Sequence, residues 1–346
     1  MAKIGQSLTK ALNVVKHAVE KPAQQVVETE KKVVGWVARA AQRQVQHAQE
    51  AFGASHLRNW SGTGSGQNVG WLKNQPPPPK DVTADFNTTY AAAKAGTLQM
   101  PAEAKNHRYL LVGGLFTNQY PGYMDSNQKA LQAKGLETKR VGIDTGQSVE
   151  LNAKQIRDAI MDASKDGKQV VLVGQSKGGV DITAAIAMYP ELKPHVRAVV
   201  AMQAPYGGTP IASDIQTCPE LRPLATAAIG ALLKGDMRAL TDLSYEARKA
   251  FIAKHPYPPD VPTLSLATSR ESRKSLVDAT GAYLRDRYGV KSDGLVAPED
   301  AEIPGSRVVK LTNMDHAEGV MEGLPGFPEH RPTALTQALV AMALQQ

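Results

Sequence analysis

The stretch "VVLVGQSKGGVD", Val170–Asp181, decides how this chain is read. Four apolar residues, three of them β-branched, run into a Gly-Gln-Ser-Lys-Gly turn, and the turn opens onto Val180–Tyr189, where Ala and Ile recur at helical spacing. A buried strand that passes directly into a helix leaves no room for side chains where the two elements meet, which accounts for Gly174 and Gly178. The turn also lifts the residue between them clear of its neighbours, and that residue is Ser176. Presented this way, a hydroxyl becomes a nucleophile once a base takes its proton. The competing reading is a serine that caps the helix between two turn glycines.

Outward from this stretch, short apolar runs alternate with helical periods. Tyr109–Val112, Glu137–Val141, Val170–Val173 and Val196–Met202 read as strands. Met124–Lys134, Ser148–Ser164 and Val180–Tyr189 read as helices, the second with Ala153, Ile156, Ile160 and Ala163 on one face. Such alternation predicts an α/β fold, a mostly parallel sheet with helices on both faces, whose ligands bind at the carboxyl ends of the strands. The segment 211–262 breaks the rhythm: it carries the apolar "LATAAIGALL", Leu224–Leu233, and ends in "HPYPPDVP". Strands resume at Thr263–Ala267 and Val308–Leu311, and a last helix runs from about Pro332 to Leu344.

An acyl-transfer site needs donors for the oxyanion, a base and an orienting acid. The Lys177 amide, next after the serine, is one donor. The loop after the first strand, "LLVGGLFTN", supplies the other from Gly113, Gly114 and the following Leu115. Beyond Ser176 the histidines are His195, His255, His316 and His330; only His316 lies just past the last strand, where a loop carries it over the carboxyl edge. For the acid, Asp293 sits in the Gly turn "KSDGLV" between the last two strands, with Asp278, Asp286 and Asp300 as alternatives. An Asp-Gly pair is also an ordinary turn signal. Asp315, adjacent to His316, points away from the same ring.

At these positions the chain resembles the bacterial triacylglycerol lipases of the α/β-hydrolase superfamily, the group of the secreted Pseudomonas and Burkholderia enzymes, from about Tyr109 to Val320. "VGGLFTNQYPGY" is similar to their oxyanion loop, with Leu115 at the donor position, and "LVGQSKGG" to their nucleophile elbow. "MQAPYGGTPIA" resembles the segment after the next strand, and "LTDLSYEARKAFIAKHPYP" the stretch that follows their lid. "SDGLV" and "MDHAEGV" resemble the acid and histidine loops, which assigns Asp293 and His316 by position. The resemblance implies an α/β-hydrolase fold, a serine carboxylic ester hydrolase acting on acyl lipids through a Ser-His-Asp triad and an acyl-enzyme, and a helical lid over residues 211–262. It requires no cofactor. It does imply a structural calcium, for which Glu318 stands at one ligand position with no second ligand identified. The departures are Gly113 where the family has histidine, and Gln175 and Lys177 beside the nucleophile in place of His and Gln. A lysine at the mouth of the site favours an anionic substrate.

Composition sets the remaining expectations. The chain has 346 residues, 42% of them hydrophobic, enough for a large core, and its single cysteine, Cys218, forms neither an internal disulfide nor a zinc motif. Residues 1–60 carry nine Lys and Arg against four acids, so +5 of the net +7 lies there, on two amphipathic helical patterns broken at Pro22. This basic extension packs on its own domain or on a protein partner, or lies on an anionic membrane surface. No nucleic-acid motif accompanies it. Residues 61–104, rich in Gly and Ser and then in Pro76–Pro79, read as a linker, and "GTGSG" there lacks the flanking strand and the Gly-Lys-Ser/Thr of a phosphate loop. The catalytic domain is then 105–346. No run approaches the about 20 apolar residues of a membrane-spanning helix, and Met1–Lys21 has no signal-peptide pattern, so the expected location is the cytoplasm, or outside the cell by a route without a cleaved signal. Phospholipid or polyester esters are the alternative substrates, in one variant for an exported antibacterial toxin. A different class of function is an interaction protein that works through its helical arm.

Overall fold

The computed structural model describes residues 65–115, 117, 122–217, 238–271, 277–322 and 332–345. The basic extension, Cys218, His330 and the apolar stretch Leu224–Leu233 fall outside these residues, as does the central part of the expected lid.

Seven strands form one sheet: β1 (Lys80–Asp81), β2 (Arg108–Val112), β3 (Glu137–Arg140), β4 (Val170–Gln175), β5 (Val196–Met202), β6 (Thr263–Ser269) and β7 (Arg307–Thr312). Their order is β1-β7-β6-β5-β4-β2-β3, and every neighbouring pair is parallel. Among the described residues the α-helices of eight residues or more are α1 (Thr83–Lys94), α2 (Asp125–Gln132), α3 (Val149–Ala163), α4 (Lys177–Met188), α5 (Pro210–Thr217), α6 (Tyr245–Lys254), α7 (Asp278–Tyr288) and α8 (Pro332–Leu344). A parallel sheet must be covered on both faces, and the strand residues divide by parity to do so. Tyr109, Leu111, Val171, Val173, Ala198, Val200 and Met202 face a core shared with α1, α2 and α8. Leu110, Val112, Val170, Leu172, Val199 and Ala201 face a second core with α3 and α4. In α8, apolar all round, only Thr333 is not buried, as expected of a helix with no polar face. β3 lies at one edge of the sheet with Glu137, Lys139 and Arg140 exposed, charges that discourage pairing with another chain.

The expected strands and helices stand within a few residues of their predicted bounds. Ser148 caps α3, its hydroxyl accepting the Leu151 amide, so that helix begins one residue later than the periodicity suggests. The linker reading of 61–104 is corrected in its second part. Lys80 and Asp81 pair with Arg307 and Val308 at the sheet edge, and Val82, Phe86, Tyr90 and Ala93 bury one stripe of α1 in the core. These four positions recur at helical spacing, and burial of that stripe makes 80–106 part of the domain. Of the expected lid, the flanks are anchored: Ala212, Ser213 and Asp214 of α5 and Tyr245 and Arg248 of α6 are buried. No helix among the described residues is long and apolar enough to cross a membrane.

If α1 is integral to the domain, removing its most enclosed side chain must register in global stability. Phe86, fully buried and stacked on Tyr90 at 5.3 Å, is that side chain. Phe86→Ala is expected to lower the unfolding free energy by about 3–5 kcal/mol, measured by urea denaturation. A loss below about 1 kcal/mol would restore the linker reading.

Candidate active site

Steric exclusion builds the site's centre. A Cβ on Gly174 would lie 2.7 Å from the Gly179 backbone, one on Gly178 would lie 2.3 Å from the Val112 carbonyl oxygen, and one on Gly179 would lie 2.7 Å from Ala204 Cβ. Three glycines, not two, therefore let β4 turn into α4 against the ends of β2 and β5. Between them Ser176 adopts φ 55° and ψ −130°, a conformation that costs a non-glycine residue about 1–3 kcal/mol and persists because the packing around it leaves no alternative. Its amide is held by the Met202 carbonyl at 2.9 Å, and its hydroxyl makes no capping bond to α4. Ser176 thus stands at the N-cap position of α4 without a side-chain cap.

The acid and histidine loops meet at the same carboxyl edge. Asp293 Oδ2 lies 2.8 Å from His316 Nδ1, and the His316 amide donates to the Asp293 carbonyl at 3.0 Å. The other carboxylate oxygen accepts the Leu295 and Val296 amides at 3.0 and 2.8 Å, so the Asp-Gly turn serves to aim the carboxylate. Burial disfavours the charged imidazole, but the Asp293 charge, its hydrogen bond and the Asp315 charge together outweigh burial and raise the His316 pKa above the ordinary value. Asp286 instead pairs with Arg285 at the surface, and Asp300 accepts from the Tyr245 hydroxyl at 2.5 Å and the Gly70 amide at 2.9 Å. Burial, ahead of those two hydrogen bonds, leaves Asp300 with a pKa raised to about 7. His195 ends a turn before β5, at the opposite edge, and His255 caps α6 beside Phe251.

Two stretches of main chain lie against the elbow. Lys177 is the first residue of α4, where an amide has no partner within its own helix, and the helix's positive end lies there. From the end of β2, Gly114 presses on Ser176: a Cβ at 114 would lie 2.7 Å from Ser176 Cβ and 3.0 Å from Gln175 Oε1. Leu115 follows and packs its side chain against the core. The Lys177 side chain does not stand at the mouth of the site. It is fully buried, its Nζ 2.9 Å from both oxygens of Asp181, which also accepts from Asn152 at 2.9 Å. One helical turn separates Lys177 from Asp181, so the ammonium folds along α4 to its partner, and the expected preference for an anionic substrate loses its basis.

The histidine loop is fastened by groups to which sequence reading gave no such part. Gln175 Nε2 donates to the His316 carbonyl at 2.9 Å, Gln203 Nε2 to the Asp315 carbonyl at 2.8 Å, and Asn127 Nδ2 to the Gly319 carbonyl at 2.9 Å. Glu318 accepts the Asp315 amide and pairs with the Arg270 guanidinium, whose own amide is bonded to the Ser292 carbonyl beside Asp293. A side chain already neutralised by a guanidinium makes a poor calcium ligand, and no group of three or more His, Cys, Asp or Glu among the described residues is arranged to hold a metal ion. The residues at Glu318 do not fit the calcium site implied by the resemblance. Only the third elbow glycine left a sequence signal, as the second Gly of "KGG".

No protein-family model matches the sequence, and no curated protein matches it. Among solved structures the chain is similar to a metagenomic carboxyl esterase, MGS0156, with a TM-score of 0.64, 22% identity, and coverage of 78% of this chain and 93% of that one. It is also similar to the mature form of the Bacillus licheniformis lipase BlEst2, with a TM-score of 0.52, 20% identity, and coverage of 63% and 87%. The seven-stranded parallel sheet and these likenesses identify the α/β-hydrolase fold.

The buried Lys177–Asp181 pair under the elbow has an expected energetic signature. Lys177→Met leaves a buried carboxylate without its cation and is expected to destabilise the fold by about 3–5 kcal/mol, whereas Lys177→Met combined with Asp181→Leu recovers most of the loss. Thermal unfolding of the two variants measures the difference; equal losses would show that the pair is not closely coupled.

Proposed function

We propose that the protein is a serine carboxylic ester hydrolase acting on acyl lipids, with Ser176 as nucleophile, His316 as base and Asp293 as its orienting acid. The observation that carries this reading is the Asp293–His316 pair, fastened through the His316 carbonyl to Gln175, the residue next to Ser176. Ser176 Oγ attacks the ester carbonyl carbon while the ring nitrogen of His316 remote from Asp293 takes its proton. The amides of Leu115 and Lys177 receive the negative charge on the former carbonyl oxygen, and each such donor contributes about 3–4 kcal/mol of transition-state stabilisation. His316 then gives the proton to the departing alkoxide, leaving an acyl-Ser176 and a free alcohol. Water, deprotonated by the same histidine, releases the fatty acid and restores the hydroxyl. Asp293, bonded to Nδ1, holds the tautomer that leaves the far nitrogen able to accept.

The acyl-lipid substrate and kinship with the Pseudomonas and Burkholderia lipases are supported by the ordered motifs from "VGGLFTNQYPGY" to "MDHAEGV". Support for ester chemistry comes also from the two solved structures, one a carboxyl esterase and the other a lipase.

Wild-type protein is expected to hydrolyse p-nitrophenyl esters and to be labelled by a fluorophosphonate, both abolished in Ser176→Ala; unlabelled wild type would overturn the assignment. Because the base must be neutral and its pKa is raised, the acid limb of kcat/KM is expected above pH 6.5. Asp293→Asn removes the largest of the influences that raise it and leaves burial opposed by the Asp315 charge alone, so the limb moves to lower pH while kcat falls about ten-thousand-fold. A pH–rate profile of the two proteins reads both effects.

A further inference from the structure

The hydroxyl of Tyr123, from the loop that leads into α2, donates to Gln175 Oε1 in the interior of the protein. The same carboxamide donates through Nε2 to the His316 carbonyl at 2.9 Å. Its orientation follows from chemistry: the carbonyl of 316 accepts only, so the NH2 group must face it and the oxygen must face the tyrosine. Both side chains are buried, Gln175 completely. Gly114 of the oxyanion loop closes the arrangement. A Cβ there would lie 3.0 Å from both Gln175 Oε1 and Tyr123 Oη, and 2.7 Å from Ser176 Cβ. One carboxamide thus touches the loop of the amide donors, adjoins the nucleophile in the chain, and holds the main chain of the base.

We propose that Gln175 and Tyr123 form a positioning relay that sets the oxyanion loop, the nucleophile and the base as a single unit; this rests on the hydrolase reading above. Gln203 and Asn127 also hold carbonyls of the histidine loop, but their other hydrogen bonds run to Thr268 and Thr336, away from the elbow. Gln175 alone of the three carboxamides reaches all three parts of the site. Since a displacement of about 1 Å costs roughly a hundredfold in rate, loss of the relay acts on the chemical step while ester binding is unchanged. Tyr123 bonds the acceptor end of the carboxamide, lies against Gly114 and carries part of the effect.

The test compares wild type, Gln175→Met, Tyr123→Phe and the double variant on a soluble p-nitrophenyl ester, with thermal unfolding of each. Gln175→Met matches the volume of glutamine without its polar ends. It is expected to lower kcat about a hundredfold with KM within threefold, and Tyr123→Phe to lower kcat about tenfold. The double variant is expected to be no slower than Gln175→Met, because the two groups act through one bond chain. If Gln175→Met fails to fold, the kcat and KM of Tyr123→Phe, which removes a single oxygen, carry the test. Active wild type matched within twofold by the single variants overturns the relay alone, as do single effects that multiply in the double variant. Inactive, unlabelled wild type overturns the hydrolase reading and the relay with it.

Discussion

The close approach of β4, α4 and the end of β2 at the elbow is the constraint on which the rest of this structure depends. Side chains at 174, 178 and 179 would collide with backbone or with a methyl group at 2.3–2.7 Å, so glycine at each is what allows the strand to become a helix within one residue. That crowding holds Ser176 at a positive φ it would not adopt alone. The strain is local and modest, whereas the cores on both faces of the sheet hold β4 and α4 in place. The placement of the Ser176 hydroxyl at the carboxyl edge is therefore a product of packing as much as of sequence motif.

A second layer of order comes from buried polar groups, each matched to a partner. Asp293 uses one oxygen for backbone amides and the other for the imidazole, so its loop and its orientation toward His316 are fixed together. Carboxamides hold three carbonyls of the histidine loop, and the Arg270–Glu318 pair ties that loop to the strand end beside the acid. In a low-dielectric interior such bonds are strong when complete and costly when broken. The histidine is located by this network.

Much of the fold was legible because its cues are local. The apolar runs at 109–112, 170–173 and 196–202 are too short and too β-branched for helices, and the all-apolar face of α8 announces burial. Helix α1 escaped notice because its stripe of Val82, Phe86, Tyr90 and Ala93 follows a proline run that reads as linker, and only the position of α8 across the sheet gives that stripe something to bury against. Helix α6 was hidden by its charges: Arg248 lies buried against Tyr206 and Phe251, an environment no periodicity reveals.

The order Ser176, Asp293, His316 and two of the three elbow glycines, Gly174 and Gly178, were legible in the sequence alone, because a tight turn and a chain-order rule depend on neighbours along the chain. The tertiary structure decided which aspartate meets the imidazole: Asp293 does, whereas Asp286 and Asp300 have partners elsewhere. It also turned Lys177 inward to Asp181, and brought Tyr123 and Gln175 to the back of the site. Those outcomes rest on contacts between residues far apart in the chain, whose geometry exists only once the sheet has formed.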